Sequence, residues 1–392
     1  VKMAGEIAFH TTRSVLAGPG VSGKVGSLFR RMGCKRVLVV TDRGVEAAGL
    51  LTEALKGISN NLERPIVYNE VVNDPPESVV HSAVQVARES KIDAVLGIGG
   101  GSAMDVAKLV ACLCPENAQT LESFYGVEQA QSSYRLPLIQ VPTTAGTGSE
   151  VTPISIITTG TNEKKGVVDP LLLPDWAILD PSLTLSLPRH VTAATGIDAM
   201  VHAIEAYTTR FKKNFLSDAL AREALRLLSY SLRTACDQPK DMDARMDTLK
   251  GAMLAGMAFA NAPVGAVHAL AYPIGSHFHQ PHGLSNSLML PHILQFNAQL
   301  PTPRRQYAEL GPYILSEFEG FGSEEEVVEG IIEYYETLPK ELGLATTLRG
   351  VGIQESDIEL LSTEAMKQTR LLPNNPREVT LKDAQALYER AL

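Results

Sequence analysis

The chain has 392 residues, of which 44% are hydrophobic and 20% are charged, and its formal net charge is −9. This length predicts two or three domains, and the composition is typical of a globular protein and not of a disordered or membrane protein. Because Lys and Arg are scattered and offer no basic face, we expect neither a nucleic-acid partner nor membrane association.

No export or membrane signal is predicted from the sequence. The first thirty residues hold no long apolar run, and no later stretch reaches about 18 apolar residues. The close cysteine pair Cys112 and Cys114 has a C-x-C spacing that is typical of neither a redox motif nor a zinc motif, and Cys34 and Cys236 stand alone. We therefore expect a cytoplasmic protein whose four thiols are buried and reduced.

From residue 36 to residue 180, short β-branched runs alternate with amphipathic helical stretches. This alternation predicts an α/β domain in which helices cover a Rossmann-like parallel sheet. The predicted strands are 36–41, 65–68, 94–98 and 136–141, and the predicted helices are 45–56, 76–90 and 102–112. Extended runs at 154–158, 166–168 and 176–179 then predict a hairpin that closes the domain.

A glycine turn follows the predicted strand 94–98 and precedes a helix. It consists of Gly99, Gly100, Gly101 and Ser102, with Asp105 three residues further on, as in a capping box. Three glycines remove every Cβ where a pyrophosphate would contact backbone N–H groups, and the helix N-terminus adds about half a positive charge. A tight turn with positive φ is the alternative interpretation. Because the run is not GxGxxG, it indicates a dinucleotide-binding fold other than the ordinary Rossmann type.

A second polar turn, residues 142–150, follows another predicted strand. Its hydroxyl side chains are Thr143, Thr144, Thr147 and Ser149. Hydroxyls and glycines together can bind phosphate and ribose oxygens without adding charge. Asp42, at the end of the first clear strand, would accept hydrogen bonds from the adenine-side ribose and repel a 2′-phosphate, which predicts NAD over NADP. A helix N-cap is the alternative role for this residue.

The sequence pattern changes after Leu187. Pro188 opens a region in which Ala, Leu, Met and Glu recur at helical spacing almost to the last residue. We therefore expect an NAD-binding α/β domain at residues 1–187 and an all-α domain at residues 188–392, to which the metal and substrate site is assigned from the residues described next. The predicted helices of the second domain are 192–209, 216–236, 242–261, 324–338 and 381–391.

A candidate metal site lies in the predicted helical domain. Asp198 and His202 are spaced i, i+4 and therefore share one helix face, and His268 and His282 add two imidazoles. Each histidine alone is more often structural, but five of the nine histidines lie between residues 268 and 292. One carboxylate and three neutral imidazoles suit a divalent transition ion, with iron(II) and zinc both acceptable and calcium and magnesium disfavoured.

Five ordered motifs run through nearly the whole chain. They are Gly99-Gly100-Gly101-Ser102-x-x-Asp105-x-x-Lys108, Pro142-Thr143-Thr144-x-Gly146-Thr147-Gly148-Ser149-Glu150, Leu173-Pro174-Asp175 with Asp180-Pro181, Gly196-x-Asp198-Ala199-x-x-His202-Ala203-x-Glu205, and Pro281-His282-Gly283. With these motifs the chain resembles the iron-containing (group III) alcohol dehydrogenases, whose fold is shared with glycerol dehydrogenase and dehydroquinate synthase.

The resemblance implies a ligand set and a cofactor site. It implies iron(II), or zinc as in some members, on Asp198, His202, His268 and His282, and NAD(P) on the glycine and hydroxyl turns. It also places Lys164 near the expected position of a cofactor-contacting lysine. We expect a homo-oligomer, a dimer, that acts on a small-molecule alcohol or aldehyde.

One position departs from the family pattern. Many members carry a histidine four residues after the third metal ligand, often as a proton relay, and this chain has Tyr272 there. Tyr272, His277 and His279 are the candidates for the relay, although a phenol with a pKa near 10 suits neutral pH poorly. Phe259 is expected either to line the alkyl side of the substrate pocket or to belong to the core.

The predicted reaction moves a hydride between a primary or secondary alcohol, or a small hydroxy acid, and NAD. The metal would lower the pKa of a bound hydroxyl from roughly 16 to about 7. A small oxo-acid reductase, a hydroxyacid–oxoacid transhydrogenase and a dehydroquinate synthase-like lyase are alternatives on the same scaffold. A non-catalytic or metal-storage role leaves both cofactor turns unexplained.

Overall fold

The structure, a computed structural model, describes residues 6–116, 118–160, 163–315 and 322–392. The chain divides into two units. One unit comprises residues 10–186, and the other comprises residues 187–392 together with the N-terminal stretch that ends at Phe9.

The described part of the first unit contains strands and short helices in alternation. The strands are β1 (Ser14–Ala17), β2 (Val37–Asp42), β3 (Ile66–Val71), β4 (Ala94–Gly99), β5 (Gly126–Val127), β6 (Leu138–Pro142), β7 (Ile154–Thr158), β8 (Lys164–Val168) and β9 (Trp176–Leu179). The helices are α1 (Val25–Arg31), α2 (Arg43–Ala47), α3 (Thr52–Ser59), α4 (Glu77–Glu89), α5 (Gly101–Leu113) and α6 (Leu121–Phe124). The four strands predicted between residues 36 and 141 are confirmed.

Six strands form a parallel sheet in the order β1-β9-β6-β4-β2-β3. Every residue of β4 and β6 is buried, because apolar clusters cover both faces of the sheet. Since β2, β4 and β6 are parallel neighbours, Asp42, Gly99 and Pro142 end at the same edge of the sheet. The carboxyl edge of an open parallel sheet is where α/β proteins bind ligands.

The predicted hairpin is formed by β7 and β8, which pair antiparallel with Ile156 opposite Gly166. Together with β5 they make a separate three-stranded sheet. The third extended run, β9, does not belong to the hairpin but lies between β1 and β6 in the main sheet. The sequence analysis missed β1, a four-residue strand whose partner β9 is about 160 residues away along the chain.

Two local expectations in the first unit were wrong. The single helix predicted at 45–56 is two helices, α2 and α3, separated by a turn in which Gly49 has φ 73°. Glycine adopts this left-handed conformation without the steric cost that a Cβ imposes. The capping box is absent from α5, whose N-cap is Gly100, and the Asp105 side chain bonds elsewhere.

The second unit is helical throughout its described elements. They are α7 (Arg189–Thr208), α8 (Phe215–Asp237), α9 (Met242–Asn261), α10 (Ala266–Phe278), α11 (His282–Asn297), α12 (Pro301–Ala308), α13 (Gly311–Ile314), α14 (Glu324–Glu341), α15 (Ile358–Met366) and α16 (Leu381–Ala391). The five predicted helices are confirmed as α7, α8, α9, α14 and α16. Helix α11 was not predicted, because Pro281 precedes it and Pro291 lies inside it. Proline usually indicates that a helix is interrupted. The parallel α/β unit followed by a helical unit is the predicted fold class.

Helix α7 is buried on nearly its whole surface and packs against α8, α9 and α11. A helix buried on all sides belongs to the middle of a core, so polar groups on α7 must find partners within the protein. The four cysteines are free and buried, as expected. No single helix in the described ranges is long and apolar enough to cross a membrane, and only α9 with α10, bent by 108°, satisfy the length and composition criteria together.

Candidate metal centre and cofactor turns

The four predicted metal ligands converge in the second unit. Asp198 and His202 lie on α7, His268 on α10 and His282 at the first residue of α11. Each residue offers one ligand atom, and these atoms all lie within 4.8 Å of one another. The Asp198 Oδ1 atom is 4.0 Å from His268 Nε2 and 3.7 Å from His282 Nε2.

A close helix contact places His282 beside Asp198. A Cβ added to Gly283 would lie 2.2 Å from the carbonyl oxygen of Ala194 on α7, far inside any allowed contact. The same hypothetical atom would lie 3.2 Å from the Asp198 Cβ. Position 283 therefore requires glycine, because only glycine lets the first turn of α11 approach the α7 backbone this closely.

Burial and charge make the four side chains suitable donors. Asp198, His202 and His268 are buried, whereas the His282 side chain is 36% exposed, so the cluster opens to solvent beside His282. Burial opposes ionisation of Asp198, but the three imidazoles outweigh it and hold the pKa of this carboxyl below its usual value. Burial and the neighbouring imidazoles hold the pKa of His268 well below its usual value, so its ring is neutral and keeps a lone pair. One carboxylate oxygen and three imidazole nitrogens fit a divalent transition ion.

Glu205 is a functional residue that the sequence analysis left without a role. Its Oε2 atom lies 2.6 Å from His268 Nδ1, and its Oε1 atom accepts a hydrogen bond of 2.7 Å from the Val267 N–H. If His268 Nε2 is to bind a metal, Nδ1 must carry the hydrogen and donate it to Glu205, which fixes both tautomer and ring orientation. Burial raises the pKa of Glu205 to about 7, partly offset by the hydrogen bond from the Val267 backbone. Glu205 lies three residues after His202, and this spacing could have predicted that the two side chains share one face of the helix.

Aromatic rings border the cluster. Phe259, half-buried on α9, stacks on His202 with ring centroids 4.3 Å apart and planes 20° apart. The Tyr272 ring lies 5.7 Å from the His282 ring, as its i+4 position relative to His268 on α10 led us to expect. The other two relay candidates are exposed. His277 lies nine residues beyond His268, about 13 Å along α10, and His279 follows the helix with φ 54°.

The two predicted cofactor turns meet at the carboxyl edge of the main sheet. The Thr143 N–H donates a 2.9 Å hydrogen bond to the Gly99 carbonyl oxygen. A Cβ on Gly101 would lie 2.9 Å from Thr147 Cγ2, and one on Gly100 would lie 3.8 Å from Thr144 Oγ1. The glycine turn therefore lies directly against the hydroxyl turn, with the first turn of α5 beside both.

Asp42 is the N-cap of α2, one of the two roles that the sequence left open. Its Oδ1 atom accepts a 2.9 Å hydrogen bond from the Val45 N–H and so caps α2. Its Oδ2 atom lies 3.5 Å from the position of a Cβ on Gly99. One carboxylate oxygen thus caps the helix while the other lies beside the glycine turn.

Two residues predicted to contact the cofactor bond to each other inside the first unit. The Ser149 hydroxyl donates a 2.6 Å hydrogen bond to Asp105 Oδ1, and the Ile156 N–H donates to Asp105 Oδ2. Lys108, fully buried on α5, donates to the Ser149 hydroxyl at 2.8 Å and to the Ile154 carbonyl oxygen at 2.7 Å. Burial lowers the pKa of Lys108 to about 8. The hydrogen bonds of Asp105 and Lys108 to Ser149 attach the hydroxyl turn to α5. The motif spacing did not reveal this role.

The remaining predicted cofactor residues lie in two places. Ser102 is in the first turn of α5, beside the glycine turn. Lys164 begins β8, where its Nζ atom pairs with Asp74 Oδ1 at 2.7 Å. The hairpin therefore carries Lys164, and the sheet edge carries the other predicted cofactor residues.

Comparisons with known proteins cover both units. The family model described as iron-containing alcohol dehydrogenase matches residues 12–181, and the model for the C-terminal part of the Fe-containing alcohol dehydrogenase family matches residues 192–392. Long-chain-alcohol dehydrogenase 1 of Geobacillus thermodenitrificans is 41% identical over 92% of this chain and 91% of its own length. The NAD-dependent methanol dehydrogenase of Bacillus methanolicus is 32% identical over 98% of this chain and 99% of its own length.

A solved structure shows the same fold. The crystal structure of a 1,3-propanediol oxidoreductase superposes with a TM-score of 0.94 at 29% identity, covering 99% of this chain and 100% of the other. A parallel α/β unit followed by a helical unit with a buried Asp and three His side chains is the architecture of a metal-dependent dehydrogenase. The chain belongs to the iron-containing alcohol dehydrogenase family and is an oxidoreductase.

The contact between Glu205 and His268 predicts a loss of metal affinity in Glu205→Gln. The glutamine amide has one acceptor oxygen for two donors and no charge, so His268 loses its fixed orientation. We expect the Kd for Zn²⁺, measured by competition with a chromophoric chelator, to rise about 10- to 100-fold. Glu329→Gln, an exposed change on α14, is the matched control. A Glu205→Gln affinity within twofold of the wild-type value would refute this role.

Proposed function

We propose that this protein is an NAD-dependent, metal-dependent alcohol dehydrogenase that interconverts a primary or secondary alcohol with its aldehyde or ketone. The observation that carries the proposal is the convergence of Asp198, His202, His268 and His282 in a buried cluster of a chain in the iron-containing alcohol dehydrogenase family. The similarity to an NAD-dependent methanol dehydrogenase supports the choice of cofactor.

The four converging side chains would hold the metal, and a divalent ion bound there supplies a Lewis acid that lowers the pKa of an alcohol hydroxyl. The family supports iron(II), while zinc satisfies the same donors and is favoured in a competitive mixture by the Irving–Williams order. Glu205 keeps the His268 ring in the tautomer that presents Nε2. Since the His282 side is the exposed side of the cluster, we propose that the substrate approaches there, next to Tyr272.

The cofactor would lie on the carboxyl edge of the main sheet, where NAD supplies the hydride acceptor. Backbone N–H groups of the glycine turn and the N-terminus of α5 suit its pyrophosphate, and the hydroxyls of Thr143, Thr144 and Thr147 suit its oxygens. Asp105, Lys108 and Ser149 hold these turns in place from inside the unit. The carboxylate of Asp42 beside Gly99 suits a ribose hydroxyl.

Activity of the purified protein tests the proposal directly. We expect NADH to accumulate with at least one member of a panel of primary and secondary alcohols, and one divalent ion per chain by elemental analysis. Prolonged chelation should abolish turnover, and Fe²⁺ or Zn²⁺ should restore it. His202→Ala should lose the ion, whereas His190→Ala, an exposed change on the same helix, should retain it. Full activity in a preparation free of metal would disprove the proposal.

The position of Asp42 predicts a preference for NAD. At about 4 Å and an effective dielectric constant near 20, its charge would repel a 2′-phosphate by up to about 4 kcal/mol per unit charge. We expect Asp42→Asn, which keeps a cap acceptor, and Asp42→Gly to raise the ratio of kcat/KM for NADP to that for NAD at least tenfold. Glycine is tolerated as an N-cap, so neither variant should unfold. If wild-type protein uses both cofactors equally, Asp42 serves only as the cap of α2.

The contact of Tyr272 with His282 predicts a pocket wall and not a proton relay. Tyr272→Phe removes only the hydroxyl, so we expect kcat within a few-fold of wild type, with changes confined to KM and substrate choice. Tyr230→Phe, the same change at an exposed position on α8, should leave kcat and KM unchanged. A hundredfold fall in kcat for Tyr272→Phe with a displaced pH profile would instead identify the phenol as the relay.

A further inference from the structure

Asn286 reaches the same cluster from α11 and belongs to none of the assignments above. It lies four residues after His282, one helical turn further along, and is fully buried. Its Nδ2 atom lies 2.6 Å from Asp198 Oδ1, 3.2 Å from His268 Nε2 and 3.3 Å from His282 Nε2. Three of the four candidate ligand atoms therefore converge on one side-chain amide.

The amide is poorly matched to these neighbours as a hydrogen-bond donor. A carboxamide nitrogen has two hydrogens, and here it faces three polar atoms, a carboxylate oxygen and two imidazole nitrogens. Its carbonyl oxygen, Oδ1, is buried and has no hydrogen-bond partner among the described residues. Leaving a buried acceptor unsatisfied costs about 1–3 kcal/mol, so such a group calls for an explanation.

Rotation of the amide by half a turn about the Cβ–Cγ bond gives a second arrangement. The nitrogen and the oxygen of a carboxamide occupy nearly equivalent positions, so the rotation directs Oδ1 at the same three atoms. An oxygen lone pair surrounded by a carboxylate oxygen and two imidazole nitrogens is repelled by all of them unless a cation lies among them. The amide oxygen is itself an acceptable ligand for a divalent ion.

We propose that Asn286 is a fifth residue of the metal centre and that its Oδ1 atom contacts the bound ion. The inference rests on the proposed function, since it requires that Asp198 and the three histidines bind a divalent ion. The motif His282-Gly283-x-x-Asn286 would then supply two ligands, His282 and Asn286, one helical turn apart. Gly283 positions both ligands, because it permits the close approach of α11 to α7 that directs His282 and Asn286 at Asp198.

The affinity and the visible absorption of bound Co²⁺ test this assignment without relying on activity. Asn286→Leu keeps the side-chain volume and removes the oxygen, so we expect the Kd for Co²⁺ to rise at least about tenfold. Visible absorption per bound ion should also increase, because Co²⁺ absorbs more strongly as its coordination number falls. Asn286→Asp keeps an oxygen and adds charge, so it should bind Co²⁺ at least as tightly as wild type. Ser285→Ala, a change at a buried neighbour whose hydroxyl donates to the Pro281 carbonyl oxygen, should behave as wild type.

The outcomes separate this inference from the proposed function. If wild-type protein binds no Co²⁺, the metal-dependent function itself fails. If wild type binds and Asn286→Leu matches it in both affinity and spectrum, only the role of Asn286 is overturned. If Asn286→Asp loses as much affinity as Asn286→Leu, the amide acts as a donor to Asp198 and is not a ligand. Circular dichroism of each apoprotein variant shows that the comparison is made between folded chains.

Discussion

The close approach of α11 to α7 at Gly283 is the constraint on which the metal centre depends. The space that a Cβ would need at this position is taken by the Ala194 carbonyl oxygen, only 2.2 Å away. Without this contact, His282 would lie further from Asp198, and the four ligand atoms would not share one site. A backbone contact between two helices thus decides the geometry of a set of side chains.

Helix α7 brings two carboxylates into the core, and each has its own partner. Asp198 faces three imidazoles, which keep it ionised in spite of its burial. Glu205, two turns further on, bonds to the His268 ring and to the N–H of Val267 at the start of α10. Burying a charge is costly unless it is paired and hydrogen-bonded, so both carboxylates bind α10 and α11 to α7 as well as serving the site.

The first unit uses an ion pair for a similar purpose, since Lys108 Nζ lies 3.6 Å from Asp105 Oδ1. Lys108 and Asp105 on α5 bond to Ser149 and to the backbone of the following strand, and these bonds hold the hydroxyl turn beside the glycine turn. Asp105, Lys108 and Ser149 therefore support the two turns that are predicted to contact the cofactor. The motif spacing predicts Asp105 and Ser149 as cofactor contacts, and it does not reveal that the two side chains bond to each other.

The sequence by itself determined the order of the units, most of the long elements and the positions of the polar turns. Hydrophobic periodicity predicts α8, α14 and α16 because each of these helices buries one face, and short apolar runs predict the fully buried central strands. The i, i+4 spacing likewise predicts that Asp198 and His202 share a face. Only the tertiary structure decided that Glu205 supports His268, that Asn286 faces Asp198 and that Ser149 bonds to Asp105. These partners lie 44 to 88 residues apart along the chain, and which faces meet is set by packing between elements, which leaves no periodic signal in either segment.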